Sequence, residues 1–165
     1  MPSRTAFVLS ALSAIVLGGC ASTSMAPSAS ADLQARSGSA VAGKVSFSAT
    51  NGRLRVEAKV SGLTPGEHGF HVHEAGDCSA PDASSAKGHF NPMGKAHGHH
   101  GSEERHGGDM PNLVANAQGE ASYSAEIAGL RLNGPTGVVG RSVVIHADPD
   151  DYKSQPAGNS GKRIA

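Results

Sequence analysis

The sequence has no tryptophan, and its aromatic residues stop at four Phe and two Tyr. Beside 22 Gly and 9 Pro, that scarcity fits short strands joined by many turns rather than long helices. No segment sustains an apolar period of 3.6 residues over three turns, which excludes an amphipathic helical bundle. Neither charge is in excess, with 14 Lys+Arg against 14 Asp+Glu, so nothing electrostatic points to nucleic acid and a small partner is expected. A membrane span is missing as well. The apolar run from Ala6 to Leu17 is shorter than the roughly 20 residues that cross a bilayer. Cysteine occurs only at positions 20 and 78, yet histidine, the common borderline metal ligand, occurs nine times.

The first forty residues differ from the rest and leave about 125 for one folded domain. Arg4 before the Ala6–Leu17 run has the form of a signal peptide, and Leu17-Gly18-Gly19-Cys20 resembles a bacterial lipobox in which Cys20 is lipidated after cleavage. An ordinary signal peptide cut near Ala21 is the alternative. Either places the mature protein outside the cytoplasm, and the lipobox anchors it to a membrane of the bacterial envelope, facing the periplasm. Residues 1–20 are thus expected to be a signal segment, 21–40 a Ser/Ala/Pro tether, and 41–165 the domain.

Within the domain, Val41, Gly43, Val45, Phe47 and Ala49 alternate as a half-buried strand does. Asn51-Gly52 suits a type I′ turn and folds Arg53 to Val60 back as the second arm of a hairpin. Further strand signals run from His68 to Glu74, around Leu113, from Ala121 to Ile127 and from Ser142 to His146. The expectation is an all-β sandwich or barrel with two long loops, Ala75 to Pro111 and Ala147 to Gly161. The first loop holds five of the nine histidines.

His71-Val72-His73 lies in a strand signal, where side chains two apart share a face, so both imidazoles can approach one metal while Val72 turns to the core. Two packed or surface histidines are the alternative for that pair alone. Three loop imidazoles, His89, His97 and His106, with the Asp109 carboxylate make a four-ligand shell of the kind zinc takes, and the lack of thiolates argues against an iron–sulfur cluster. His146 ends the run Val143-Val144-Ile145 and can enter the same region, or be a buried histidine bonded to a carbonyl. His68 points to packing, and His99 and His100 to an exposed Gly-rich loop.

Together these motifs resemble the copper/zinc superoxide dismutases. Gly69-Phe70-His71-Val72-His73-Glu74, Gly88-His89-Phe90-Asn91-Pro92, Glu104-Arg105-His106-Gly107-Gly108-Asp109 and Val144-Ile145-His146-Ala147-Asp148 stand in that family's order and spacing, over about Ala42 to Ile164. The resemblance implies an eight-stranded Greek-key β-barrel with two metals on its outer wall. It assigns copper to His71, His73, His89 and His146, and zinc to His89, His97, His106 and Asp109, with His89 bridging. It implies conversion of superoxide to O₂ and H₂O₂ by copper redox cycling, with zinc supporting the bridge at His89. Arg163 then guides the anionic substrate, and Asp150 links histidines of the two sites by hydrogen bonds. A plain basic tail and a plain turn aspartate are the alternatives for Arg163 and Asp150.

Two departures from that family shape the remaining expectations. Its disulfide joins the position of Cys78 to a cysteine just past the segment ending Arg163-Ile164-Ala165, a partner this sequence does not contain. Its last short strand lies there too, so the chain is expected to be truncated, with Arg163 beside a fraying end and with stability and activity reduced. The rival function is a non-catalytic envelope lipoprotein that binds copper and zinc through the same ligands, and a third is a sandwich domain for adhesion or assembly. The number of chains stays open, a homodimer included.

Overall fold

A computed structural model describes residues 28–165, so the expected signal segment and Cys20 lie outside the described residues. Among the described residues eight strands carry the fold: β1 (Ser28–Leu33), β2 (Ala42–Thr50), β3 (Arg53–Ser61), β4 (Gly66–His68), β5 (Phe70–His73), β6 (Leu113–Ala115), β7 (Ala121–Ile127) and β8 (Ser142–Ile145). The helical content among these residues is one 3₁₀ turn, Ser84–Ala86. The all-β expectation therefore holds.

The hairpin β2–β3 forms where Asn51 and Gly52 both take positive φ, 39° and 78°, the backbone a type I′ turn requires. Period-two patterning then decides the faces. Leu54, Val56, Ala58 and Val60 of β3 are buried, while Arg53, Arg55, Glu57 and Lys59 between them face water. The antiparallel sheet β1-β2-β3-β7 packs its inner face toward the pairs β4-β6 and β5-β8, around Leu54, Phe70, Met110, Leu113, Leu130 and Ile145. Each such side chain contributes about 1.5–3 kcal/mol on burial.

Part of the expected tether is structured. Ser28–Leu33 pairs with β2 along its whole length, Ala31 opposite Val45 and Leu33 opposite Gly43, with Leu33 buried and Ala29 and Ala31 half-buried. Alanine carries the alternation here, and its single methyl gives so weak a hydrophobic period that the composition resembles a linker. Residues 34–40 are also tied down. Arg36 N–H donates to Ile164 O at 2.9 Å, Ser39 Oγ to Ile164 O at 2.6 Å, and the Arg36 guanidinium to Cys78 O at 2.9 and 3.2 Å.

These bonds also correct the expectation of a fraying end. Ile145 N–H donates to Ala165 O at 2.9 Å, Ile164 N–H returns to Ile145 O at 2.8 Å, and Arg163 bridges His146 as an antiparallel pair. Residues 163–165 thus lie along β8. Cys78 is half-buried and has no disulfide partner among the described residues.

Candidate metal centre

Strand β5 faces two ways. Phe70 and Val72 point into the core, and His71 and His73, also buried, point to the opposite side with ring centroids 6.2 Å apart. The loop 74–112 returns twice to this strand. Phe90 N–H donates to Val72 O at 2.8 Å, Val72 N–H to Gly108 O at 3.0 Å, and Gly108 N–H to Phe90 O at 2.8 Å. A side chain at 108 would put its Cβ 2.2 Å from Val72 O, a backbone atom that cannot yield, so this approach needs glycine. The two returns set His89 and Asp109 beside the β5 histidines. His146 arrives from the end of β8, its N–H bonded to Gly69 O at 2.9 Å.

Two buried groups of ligands result. His71, His73, His89 and His146 form one and His89, His97, His106 and Asp109 the other, each with its potential ligand atoms within 4.8 Å of one another. His89 belongs to both. Its ring stacks on His71 at 3.9 Å and lies 5.3 and 5.5 Å from those of His97 and His106. The structure thus brings together the seven residues singled out in the sequence.

Hydrogen bonds fix which nitrogen of most rings is free. His71 Nε2–H donates to Asp150 Oδ2 at 2.7 Å, His97 Nε2–H to Asp150 Oδ1 at 2.9 Å, and His73 Nδ1–H to Lys87 O at 2.9 Å. Carbonyl and carboxylate oxygens only accept, so whenever a ring is neutral its opposite nitrogen carries the lone pair. Four of the nitrogens in these groups, His71 Nδ1, His89 Nε2, His97 Nδ1 and His106 Nδ1, are buried with no hydrogen-bond partner among the described residues. His97 Nδ1 lies 3.1 Å from Asp109 Oδ2 but without the alignment of a hydrogen bond. An unsatisfied buried polar atom costs about 1–3 kcal/mol, and four aimed into two small spaces are what coordinated cations satisfy. The donor sets fit two ions: four nitrogens for copper, three nitrogens and a carboxylate for zinc.

Electrostatics divide the groups. Burial, then the neighbouring His89, hold His73 down at about 2; burial and His71 hold His146 down at about 3; burial, outweighing Asp109, holds His89 at about 4. These rings are neutral donors at ordinary pH. Burial also pulls on His97, but the close Asp109 carboxylate and the bond to Asp150 outweigh it and raise the group to about 9. Burial opposes ionisation of both carboxylates, yet His106, His89 and His97 gathered around Asp109, and the bonds from His71 and His97 to Asp150, hold them well below the usual range.

Arg163 lines a depression of about 420 Å³ together with His146, Gln155, Asn159 and Gly161. Its guanidinium donates to Ala83 O at 2.7 Å and Lys87 O at 2.6 Å. The Lys87 carbonyl therefore holds both His73 and Arg163. That contact, and the bonds from the Gln155 side chain to the His97 main chain, were beyond sequence reasoning, since a carbonyl carries no residue signature. His68 is buried between His146 O and Thr64 O and belongs to neither group. His99 and His100 stand apart beside Tyr152, their rings tilted by 37° with centroids 4.0 Å apart, and belong to neither group.

The fold and these groups define a class: all-β metalloproteins with two ion sites sharing one imidazole. The family described as copper/zinc superoxide dismutase (SODC) matches residues 41–165, and the chain belongs to it. Among curated relatives, the "Superoxide dismutase [Cu-Zn]" of Deinococcus radiodurans is 43% identical over 159 residues, covering 89% of this chain and 86% of that protein. "Superoxide dismutase [Cu-Zn] 2" of Aquifex aeolicus is 44% identical over 131 residues, 76% of this chain and 77% of the relative. A solved structure titled "Crystal Structure Analysis of the clock protein EA4" superposes with a TM-score of 0.78 at 36% identity, over 86% of this chain and 92% of the other. A matching fold with that title carries no function of its own to this chain.

Proposed function

We propose that the chain dismutates superoxide, two superoxide ions and two protons giving O₂ and H₂O₂, with copper held by His71, His73, His89 and His146 and zinc by His89, His97, His106 and Asp109. The observation that carries the reading is the set of buried, unpartnered imidazole nitrogens in two groups that share His89. Copper supplies a one-electron redox couple and zinc a Lewis acid with no redox change. The protein does the rest. Arg163, charged at every relevant pH and fixed by two carbonyls, attracts the anion into the depression beside His146. His89 Nε2, buried and facing the four-nitrogen group, is the atom at which a proton can be held and handed to reduced substrate. Asp150 keeps the His71 and His97 Nε2 protons in place, so their Nδ1 atoms face inward toward an ion.

The signal pattern through Leu17 and the Leu17-Gly18-Gly19-Cys20 motif support export and anchoring through lipid on Cys20, with the domain in the periplasm. Mass spectrometry of the membrane fraction would find diacylated Cys20 at the new N-terminus; a water-soluble chain beginning at Ala21 would refute the anchor.

A superoxide-consumption assay on protein carrying one copper and one zinc per chain by elemental analysis tests the function. Rapid dismutation that ends when copper is removed is expected. Full occupancy without activity would leave the rival, a copper- and zinc-binding lipoprotein, for which a fixed guanidinium beside His146 has no use.

A further inference from the structure

Gln155 is an exposed residue on the long segment after β8, and it lines the depression that contains His146 and Arg163. Long polar side chains in such places are normally free, because fixing one loses about 1.5–2 kcal/mol of rotamer entropy. This one is held at both ends of its amide. Gln155 Oε1 accepts from His97 N–H at 2.9 Å, and Gln155 Nε2–H donates to His97 O at 2.8 Å. The amide thus pairs with the whole main-chain polar complement of a single residue, as a neighbouring strand would. The partner is His97, whose ring belongs to the carboxylate-bearing ligand group and is bonded through Nε2 to Asp150 of the same segment. Two tethers from one segment therefore converge on His97, one on its ring and one on its backbone. The segment's far side is the wall of the depression.

We propose that Gln155 is a positioning residue that locks the wall of the anion-access depression to the backbone of His97, so that the zinc-type group and the depression hold each other in place. The proposal rests on the superoxide dismutase reading for the identity of the ions and the anion. Coupling between two sites is reciprocal: whatever orders His97 narrows the freedom of the wall, and a wall fixed through Gln155 tightens the hold of His97 on an ion. Asp150 cannot do this alone, since it constrains the imidazole; Asp109 Oδ2 accepts from Gly98 N–H at 3.2 Å, and the His97 N–H and C=O are left to Gln155.

The test uses the copper- and zinc-loaded full chain with Gln155→Met, which keeps length and removes both bonds, and Gln155→Ala, which removes length as well. Three quantities are read: zinc release to a chelator, hydrogen exchange of the His97 amide, and azide affinity from the copper absorption spectrum. Loss of two ordinary hydrogen bonds predicts about tenfold faster zinc release and exchange in both variants. Azide should bind several-fold more weakly, with the copper electron paramagnetic resonance spectrum unchanged. Zinc release within twofold of the parent for Gln155→Met would overturn the proposal. Fast release with unaltered azide affinity would overturn the coupling, and an effect confined to Gln155→Ala would reduce Gln155 to a spacer. A parent that takes up both metals but does not consume superoxide would defeat the catalytic reading and leave these readouts to judge Gln155.

Discussion

Replacing Asp150 with asparagine should weaken copper far more than zinc, although the residue touches a histidine of each site. Asp150 Oδ1 accepts two bonds, from His97 Nε2–H at 2.9 Å and from Tyr152 N–H at 2.7 Å, whereas Oδ2 accepts one, from His71 Nε2–H at 2.7 Å. An asparagine has one carbonyl oxygen and one NH₂, and it satisfies the most donors by keeping the oxygen at the Oδ1 position. Its NH₂ then opposes the His71 Nε2 proton. The ring resolves the clash by moving that proton to Nδ1, which removes the lone pair offered to copper. The lost bond is charge-assisted and worth about 1.5–3 kcal/mol, so the copper affinity should fall by roughly 10- to 150-fold beyond the effect on zinc. Both ions lose the carboxylate's field, which makes the ratio of the two affinities the informative quantity. Chelator-competition titrations of Asp150→Asn and Asp150→Ala measure it. Alanine removes every acceptor and should weaken both ions. An unchanged copper-to-zinc ratio in Asp150→Asn would refute the assignment of protons to His71 and His97.

Three further outcomes follow from the same geometry. Arg163→Ala removes the fixed cation of the depression and should lower kcat/KM by about 10- to 100-fold while flattening its dependence on ionic strength; an unchanged salt profile would show that Arg163 does not guide the anion. Zinc must displace the proton that His97 holds below about 9, so its affinity should rise about tenfold per pH unit between pH 6 and 8, while copper, facing His73, His89 and His146 at about 2, 4 and 3, should lack that dependence; parallel slopes in competition titrations would contradict this. Metal-free protein should weaken as acid is added. Those same three folded values lie below the ordinary 6.5, so folding disfavours their protonation, with no penalty above 6.5 and about 2 kcal/mol per residue at pH 5. His97 runs the other way, its contribution complete below 6.5 and lost as pH rises through 9, so urea midpoints in chelator should decline on both sides of neutrality. A flat profile from pH 5 to 9 would remove the basis for these shifts.

Legibility in the sequence tracked the range of the physics. His71 and His73 were readable because two-residue spacing on a strand is a local rule, and His146 because a polar residue closing Val143-Val144-Ile145 breaks an apolar run where a strand ends. Asn51-Gly52 announced its turn by a backbone preference that few other pairs share. Strand β1 was not readable, since Ala29 and Ala31 supply so little apolar area that only the pairing with β2 makes the segment a strand. The same holds for residues 163–165. Nothing in Arg163-Ile164-Ala165 foretells its lacing to Ile145, which depends on β8 offering an unpaired edge. Lys87 and Gln155 act through contacts between loops distant in sequence, one by a carbonyl and one by an amide that gains meaning only beside His97.

The arrangement of donors also explains why a β-domain of ordinary construction can hold so many histidines inside. Of the seven ligand candidates, His71 and His73 stand on a strand and His146 directly follows one; His89, His97, His106 and Asp109 come from a single loop. A loop of that length closes at an entropic cost that grows only slowly with its size, and its two returns to β5 satisfy Val72, Phe90 and Gly108 as a short sheet would. What those bonds do not satisfy are the four inward nitrogens, about 4–12 kcal/mol of unpaired polarity together, a sum comparable to the entire stability of a small domain. Cation binding removes that deficit at its source, and the free energy of one structural zinc, about 10–16 kcal/mol, is large enough to outweigh it. Burial of the imidazoles, which keeps three of them neutral, and their unsatisfied lone pairs are therefore one feature: the fold forgoes internal hydrogen bonds at the positions where ions supply the missing partner.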